Sequence, residues 1–246
     1  MKIKKLLLNL LGIIIFIALW QLLHDIKANP AIPSVSEILN SLFNIILDHK
    51  FYSNVISTVK LVFIGVLMAT IVGIGTAFIM SFNEKMKHIL MPVIECLRNI
   101  PAITLFPMLL VLYGIGDMSR IFVIFWTAYP SIIIQTYYGL TNVDNVLVEA
   151  AQSCGANKLQ IYRHILFPLA TSQILTGIKI AIGSGFVAIV VAEMLGASKG
   201  LGYMILWCTN AFKYPETYAY IIIVALIGGL FNLIMNRIIK FYERKY

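Results

Sequence analysis

Long apolar runs are the feature that most constrains what this chain can fold into. Residues 61–82 are almost entirely apolar, and similar runs occupy residues 6–23, 121–140, 171–195 and 218–239. A helix needs about 20 consecutive apolar residues to cross the hydrocarbon core of a bilayer, and each run is about that long. The chain is 60% hydrophobic and 12% charged, whereas about a quarter of the residues in a soluble domain are charged. We therefore predict an all-α, polytopic membrane protein.

A further run, residues 89–113, is long enough to span but is interrupted by prolines and charges, among them Glu95, Arg98 and Pro101. Broken backbone and charge at membrane depth are tolerated where they face protein or a water-filled cavity. This segment is therefore a candidate border of a transport pathway, and Glu95 and Arg98, three residues apart, can pair on one helix face. The alternative is an interfacial helix over residues 84–99, whose charges lie among the lipid headgroups.

Lys179 and Glu193 are two more charges inside a predicted span. On one continuous helix they lie about 21 Å apart along the axis, so they share a face but cannot touch. Two interpretations stay open. Each side chain extends to its nearer membrane surface, or both line the pathway.

The N-terminal run follows a basic start, as in a signal peptide. It is too long for one, and no convincing cleavage site follows before Pro30, so we expect a retained first span, with cleavage as the alternative. The mixed residues 25–54 predict an external connection with a surface helix over residues 36–47. The chain thus divides into residues 1–54, the first span with its connection, and a core domain over residues 55–246.

Basic residues are gathered at the ends of the apolar runs. The net charge of +8 therefore indicates membrane topology and not nucleic-acid binding. With about six spans, one side holds Lys2, Lys4, Lys5, Lys85, Lys87, Arg98, Lys158, Arg163, Arg237, Lys240, Arg244 and Lys245, and the other holds Lys27, Lys50, Arg120, Lys199 and Lys213. Because cytoplasmic loops carry the excess of lysine and arginine, this asymmetry places both termini in the cytoplasm.

Cysteine and histidine spacing indicates neither a metal site nor a catalytic centre. The three cysteines form no Cys-x-x-Cys motif, and the histidines lie near span ends or in connections. We therefore expect no metal ligands and no catalytic residues.

The segment from residue 142 to residue 168 is polar enough to lie outside the hydrocarbon. Val146, Leu147, Ala150, Ala151 and Cys154 form an apolar stripe on a short helix. This short helix is expected to end at Gly155, because a glycine readily takes the left-handed conformation that closes a helix. A second helix is then expected to begin at Asn157 and to end at Pro168.

This segment resembles the EAA loop of ABC importer permeases. Glu149, Ala150, Ala151, Gly155, Ile165 and Pro168 match the family pattern, and Phe167 departs from it where the family usually has leucine. Further matches are Ile100-Pro101-Ala102, Tyr113-Gly114-Ile115-Gly116, the stretch from Ala192 to Ala197, and Gly200-Leu201-Gly202-Tyr203. Together they make the chain similar to the nitrate, sulfonate and taurine branch of these permeases.

The resemblance implies the type I importer permease fold and the permease subunit of an ATP-driven importer in a bacterial inner membrane. The six matching residues would be the coupling site for a cytoplasmic ATPase. The other implied partners are a second permease copy in a homodimer, an external substrate-binding protein and the lipid bilayer. ATP and magnesium would be bound by the ATPase, because this sequence has no phosphate-binding glycine loop and the chain is not itself an enzyme.

The implied solute is a small oxyanion such as nitrate, a sulfonate or taurine. A pyrimidine precursor of thiamine or a riboflavin-like vitamin is the alternative within the family. An ion-coupled secondary transporter is the rival from another class, but we see no internal repeat of the kind those proteins show. A non-transporting membrane scaffold is a further rival.

Overall fold

The computed structural model describes residues 2–27 and 29–244, and in these ranges every regular element is helical. This confirms the all-α prediction. The elements are α1 (Lys2–Lys27), α2 (Val35–Leu47), α3 (His49–Phe82), α4 (Glu84–Asn99), a 3₁₀ turn (Ala102–Leu105), α5 (Phe106–Tyr113), α6 (Asp117–Thr141), α7 (Asn145–Ser153), α8 (Lys158–Ile161), a π turn (Tyr162–Leu166), α9 (Phe167–Gly196), α10 (Leu201–Asn210) and α11 (Tyr214–Glu243).

The core is built by α3, α6 and α9, with α11 and α10 packed against α9. Small residues let these helices approach closely, which matters in lipid because apolar packing there brings little hydrophobic driving force. A Cβ atom added at Gly65 of α3 would lie 2.7 Å from the side chain of Ile124 on α6. Any larger residue at Gly65 would therefore push α3 away from α6.

Four helices are long and apolar enough to cross a membrane: α3, α6, the continuous helix over residues 158–196, and α11. α4 and residues 102–113, taken together, are also long and apolar enough to form a fifth span, but the two parts are bent by 84° relative to each other. These helices coincide with five of the predicted runs. The predicted first span coincides with α1, where the structure describes the side chains only from residue 11 onward.

The interrupted run is two helices rather than one straight span. α4 packs one apolar stripe, centred on the buried Ile94, against the C-terminal half of α6. Glu95 and Arg98 on this helix are both exposed, whereas the Lys87 ammonium lies 5.6 Å from the centroid of the Tyr137 ring. Glu95 and Arg98 do not form the ion pair that their spacing allows, and the ion pair found in the described residues joins Arg120 and Asp117. A pair between two exposed side chains such as Glu95 and Arg98 contributes only about 0–1 kcal/mol.

The predicted surface helix over residues 36–47 is α2. It begins with a capping box in which Ser34 Oγ accepts from the Glu37 N–H and the Glu37 carboxylate accepts from the Ser34 N–H at 2.8 Å. That backbone hydrogen bond holds the pKa of Glu37 below its usual value. α2 packs against α11, so the N-terminal connection is attached to the helical core.

Candidate functional site

The segment between α6 and α9 is an ordered bend. Asp144 caps the start of α7, and its Oδ1 accepts a hydrogen bond from the Val146 N–H at 3.0 Å. The helix ends where the Ala156 N–H donates to the Ala151 carbonyl and the Gly155 N–H donates to the Gln152 carbonyl. This double hydrogen bond is a Schellman motif, which requires a left-handed residue. Gly155 has a φ of +80°, which confirms the prediction for that glycine.

The second helix begins as predicted. Asn157 Oδ1 accepts from the Gln160 N–H at 2.9 Å, and Gln160 Oε1 accepts from the Asn157 N–H at 2.8 Å. Such a reciprocal capping box satisfies two N–H groups that no helical carbonyl can reach. The two caps fix the direction of the chain on both sides of Gly155.

The prediction that Pro168 ends this second helix is wrong. The chain stays helical from Lys158 to Gly196. A proline inside an α-helix lacks an N–H, and its ring clashes with the carbonyl four residues earlier. Here the π turn over Tyr162–Leu166 precedes it, with the Phe167 N–H donating to the Tyr162 carbonyl five residues back. The wider turn accommodates the proline, so the bend is joined directly to α9.

The bend has an inner and an outer face. On the inner face, Val148, Ala151 and Ala156 pack against a cluster that includes Leu140 and Leu166. The sequence-predicted apolar stripe is therefore divided, because Ala151 turns inward while most of its other members stay exposed.

On the outer face, three large apolar side chains are exposed: Val146 is 66% exposed, Leu147 47% and Leu159 71%. Glu149 and Ala150 are exposed beside them. We call these five residues the docking face. An ordered apolar surface outside the hydrocarbon is typical of a protein interaction site. Of the remaining predicted coupling residues, Gly155 is exposed at the bend, and Ile165 and Pro168 are half-buried at its base.

The bend also contacts the end of α3. The Tyr162 hydroxyl donates to the Ser81 carbonyl at 3.0 Å, and the Tyr162 ring stacks on Phe82 with centroids 3.9 Å apart. Phe78 packs beside both Tyr162 and Phe167. We call Phe78, Phe82, Tyr162 and Phe167 the aromatic joint. The sequence analysis missed it, because its two halves lie about 80 residues apart in the chain.

Glu193, near the opposite end of α9, is fully buried. The Thr58 hydroxyl donates to its carboxylate at 2.8 Å, and the Gly202 N–H donates to Oε2 at 2.9 Å. The expectation that this side chain extends to a membrane surface is therefore wrong for Glu193. In this conformation the carboxylate is enclosed by α3, α9 and α10.

The same network satisfies the start of α10. The Gly200 N–H donates to Asn54 Oδ1 at 2.8 Å, and the Leu201 N–H donates to Thr58 Oγ1 at 3.0 Å. Gly200 has a φ of +118°, and a Cβ atom there would lie against the Glu193 carboxylate. These contacts give a physical reason for the Gly-Leu-Gly sequence. The partners on α3 carry no local signal that sequence reasoning can detect.

The other predicted pathway residues lie elsewhere in the described part of the chain. Lys179 is half-buried and lines a groove of about 440 Å³ between α9 and α11, together with Gly183, Gly228 and Asn232. Pro101 is exposed at the start of the 3₁₀ turn. No group of three or more histidine, cysteine or acidic residues within the described ranges is arranged to hold a metal ion.

Comparison with known proteins agrees with this geometry. Residues 62–246 match the family described as the binding-protein-dependent transport system inner membrane component. A putative ABC transporter permease protein of Methanocaldococcus jannaschii is 32% identical over 249 residues, covering 99% of this chain and 92% of the relative. The nitrate import permease protein NrtB of Synechococcus elongatus is 28% identical, covering 99% and 90%. The taurine transport system permease protein TauC of Escherichia coli is 27% identical, covering 82% and 75%.

Among solved structures, an inward-facing conformation of the MetNI methionine ABC transporter matches with a TM-score of 0.70 at 19% identity. The match covers 78% of this chain and 96% of that one. The helical bundle and its ordered bend thus define a membrane permease with the type I importer fold. The chain belongs to the family of binding-protein-dependent transport system inner membrane components.

Proposed function

We propose that this chain is the permease subunit of an ATP-driven importer and that a separate cytoplasmic ATPase binds the docking face. The observation that carries the proposal is the exposure of Val146, Leu147 and Leu159 on a bend held by two helix caps. A rigid apolar surface loses little conformational entropy when a partner covers it. Glu149 lies at its centre and adds a charge for specificity.

ATP and magnesium belong on the ATPase in this proposal. The printed sequence has no Gly-x-x-x-x-Gly-Lys-Ser/Thr motif, so it lacks the backbone cradle that holds nucleotide phosphates. The family description itself names a binding-protein-dependent system, which supports an external binding protein as the second kind of partner. A second copy of this chain completes the pathway as a homodimer.

The orientation follows from charge and from the order of the spans. The docking face lies between α6 and α9, on the side predicted to carry most lysines and arginines. By the positive-inside rule that side is the cytoplasm, together with both termini of the printed chain. The α9–α10 connection then faces the exterior, where a binding protein releases the solute.

Coupling takes place through a packed bundle. Closure of two ATPases on nucleotide moves the two docking faces together, and α3, α6 and α9 follow because their packing does not deform continuously. The pathway then opens outward. Glu95, Arg98, Pro101, Lys179 and Glu193 remain the proposed pathway residues, with Glu193 enclosed in the conformation described here.

We propose that the solute is a small oxyanion, nitrate, a sulfonate or taurine, because relatives across most of the chain have those solutes in their names. A thiamine-precursor pyrimidine or a riboflavin-like vitamin is the alternative.

Two substitutions test the docking face. Gly155→Asp places a side chain at a φ of +80°, which costs about 1–3 kcal/mol and distorts the bend. Glu149→Lys reverses the charge on the docking face. Both variants should insert normally, lose ATPase copurification and abolish uptake.

The control for backbone strain outside the bend is Gly114→Asp, at a φ/ψ combination (ψ 177°) that is essentially restricted to glycine. Gly114 also has a positive φ, +76°, and open space around it, but it lies outside the bend. This control should keep its ATPase. Membrane abundance, ATPase recovery and uptake are measured on the same cells. Normal uptake and normal ATPase recovery in both bend variants would contradict the proposal.

A further inference from the structure

A second candidate site lies at the opposite end of α3 from the aromatic joint. A cavity of about 580 Å³ opens between the α2–α3 junction, α10 and the first turns of α11. Its volume is within the range of small-molecule sites, about 300–1,000 Å³. α3 has 34 residues, so the cavity and the aromatic joint lie at opposite ends of a helix about 50 Å long.

Charges of both signs line this cavity. Asp48 and Glu216 supply carboxylates, and Lys50 and Lys213 supply ammonium groups. None of the four forms an ion pair with another side chain in the part of the chain that the structure describes. The Lys213 ammonium instead lies 5.1 Å from the centroid of the Trp207 ring. Four charges therefore face one space without neutralising each other at close range.

A tyrosine hydroxyl without a hydrogen-bond partner also lines this cavity. Tyr220 as a whole is only 5% exposed. Within residues 2–27 and 29–244 its hydroxyl makes no hydrogen bond, and it stays accessible, unlike the fully buried unpartnered atoms on Arg120, Trp126 and Thr136. Asn54 on the same wall differs, because its amide oxygen is already bound to the Gly200 N–H. The Tyr220 hydroxyl is thus available to a molecule inside the cavity.

We propose that this cavity binds a small zwitterion, a molecule with one ammonium group and one oxyanion group. An anion alone would be attracted by the two lysines and repelled by the two carboxylates. A cation alone would be attracted by the two carboxylates and repelled by the two lysines. Only a ligand with both charges is complementary to the whole lining. The ammonium group lies toward Asp48 and Glu216, the oxyanion lies toward Lys50 and Lys213, and the Tyr220 hydroxyl donates to the oxyanion.

This site is spatially separate from the docking face, since no residue of the cavity belongs to that face, and ligand binding to the isolated chain requires no ATPase. It goes beyond the proposed importer function by adding a ligand site on the side of the chain that we assign to the exterior. Binding to the chain and ATP-driven uptake can therefore fail separately. A Gly155→Asp variant should lose uptake and keep zwitterion binding.

Three matched probes test the ligand class. Taurine carries both charges, ethanesulfonate carries only the anion, and ethylammonium carries only the cation. Calorimetry on the purified full chain in nanodiscs should show taurine binding, with at least tenfold weaker binding of each single-charge probe. Absence of taurine binding, or equal binding of ethanesulfonate, would overturn the proposal.

Variants locate the site. Glu216→Gln and Lys50→Gln each remove one charge with little change in shape and should weaken taurine binding at least tenfold. Tyr220→Phe removes only the hydroxyl and should weaken binding severalfold. Lys199→Gln is the control, because Lys199 is exposed in the adjoining connection and does not line the cavity. Thermal unfolding checks that each variant is folded, and unchanged affinity in the folded Glu216→Gln and Lys50→Gln proteins would contradict the assignment.

Discussion

At the scale of single residues, Glu193 shows that a charge inside a spanning helix can organise main-chain groups. Its carboxylate, the Thr58 hydroxyl and the Asn54 amide accept the first N–H groups around the start of α10. Side chains placed at a helix start satisfy donors that have no helical acceptor. The pieces of this arrangement come from three different helices, so no local spacing in the sequence predicts it.

Thr58→Val tests this network. The substitution keeps the side-chain shape but removes the acceptor of the Leu201 N–H and a donor to Glu193. A buried group left without a partner costs about 1–3 kcal/mol, so the midpoint of thermal unfolding in detergent should fall. Thr70→Val on the same helix is the control, because the Thr70 hydroxyl bonds only to its own helix at Val66. Equal midpoints for the two variants would show that the network does not stabilise the fold.

Other residues followed local rules that sequence reasoning can use. The positive φ of Gly155 and the capping role of Asn157 were predicted from residue type and position, and both are confirmed. Pro168 was different, because the π turn that accommodates it depends on five residues of backbone geometry and has no residue-type signal. The direction of the Glu95 and Arg98 side chains depends likewise on how α4 packs against α6.

At the scale of elements, the aromatic joint is the point where the bend meets a helix other than its own two neighbours in sequence. The Tyr162 ring stacks on Phe82 at the last turn of α3, and its hydroxyl bonds to Ser81. In the proposed mechanism, movement of the docking face would therefore reach α3 through this contact as well as through α6 and α9. The spans were predictable from apolar runs, whereas this contact depends on tertiary packing.

Tyr162→Leu should weaken the transfer of motion to α3. The variant keeps apolar bulk but loses the stack, which contributes about 0.5–1.5 kcal/mol beyond simple burial. We expect ATPase copurification to stay normal, because Tyr162 is not on the docking face, while the amount of solute imported per ATP hydrolysed falls. Tyr162→Phe keeps the ring and should restore most of the coupling. An unchanged transport-to-hydrolysis ratio in Tyr162→Leu would show that the joint carries no coupling.

At the scale of the whole molecule, α3 is attached at both ends. The aromatic joint holds one end to the bend, and the Glu193 network holds the other end to α9 and α10. Between these two attachments, α3 packs closely against α6, for example where Gly65 contacts Ile124. A change at the docking face is therefore expected to move the opposite end of the bundle as one body.

The orientation of this body in the membrane is a prediction from charge. Reporters placed near Lys158 should behave as cytoplasmic, and a reporter near Ala211, between α10 and α11, should behave as external. Fusions with paired alkaline phosphatase and green fluorescent protein reporters measure both positions. An external Lys158 reporter would remove the docking face from the reach of a cytoplasmic ATPase.

The most direct test of ATP-coupled import through the docking face is uptake in proteoliposomes that contain this chain, its ATPase and its binding protein. Nitrate, taurine, an alkanesulfonate and a thiamine-precursor pyrimidine are offered as labelled solutes. We expect accumulation of at least one of them with ATP and magnesium on the ATPase side, without any ion gradient, and loss of this accumulation in Glu149→Lys. Accumulation driven by a proton or sodium gradient in liposomes that contain this chain without the ATPase would contradict ATP-coupled import.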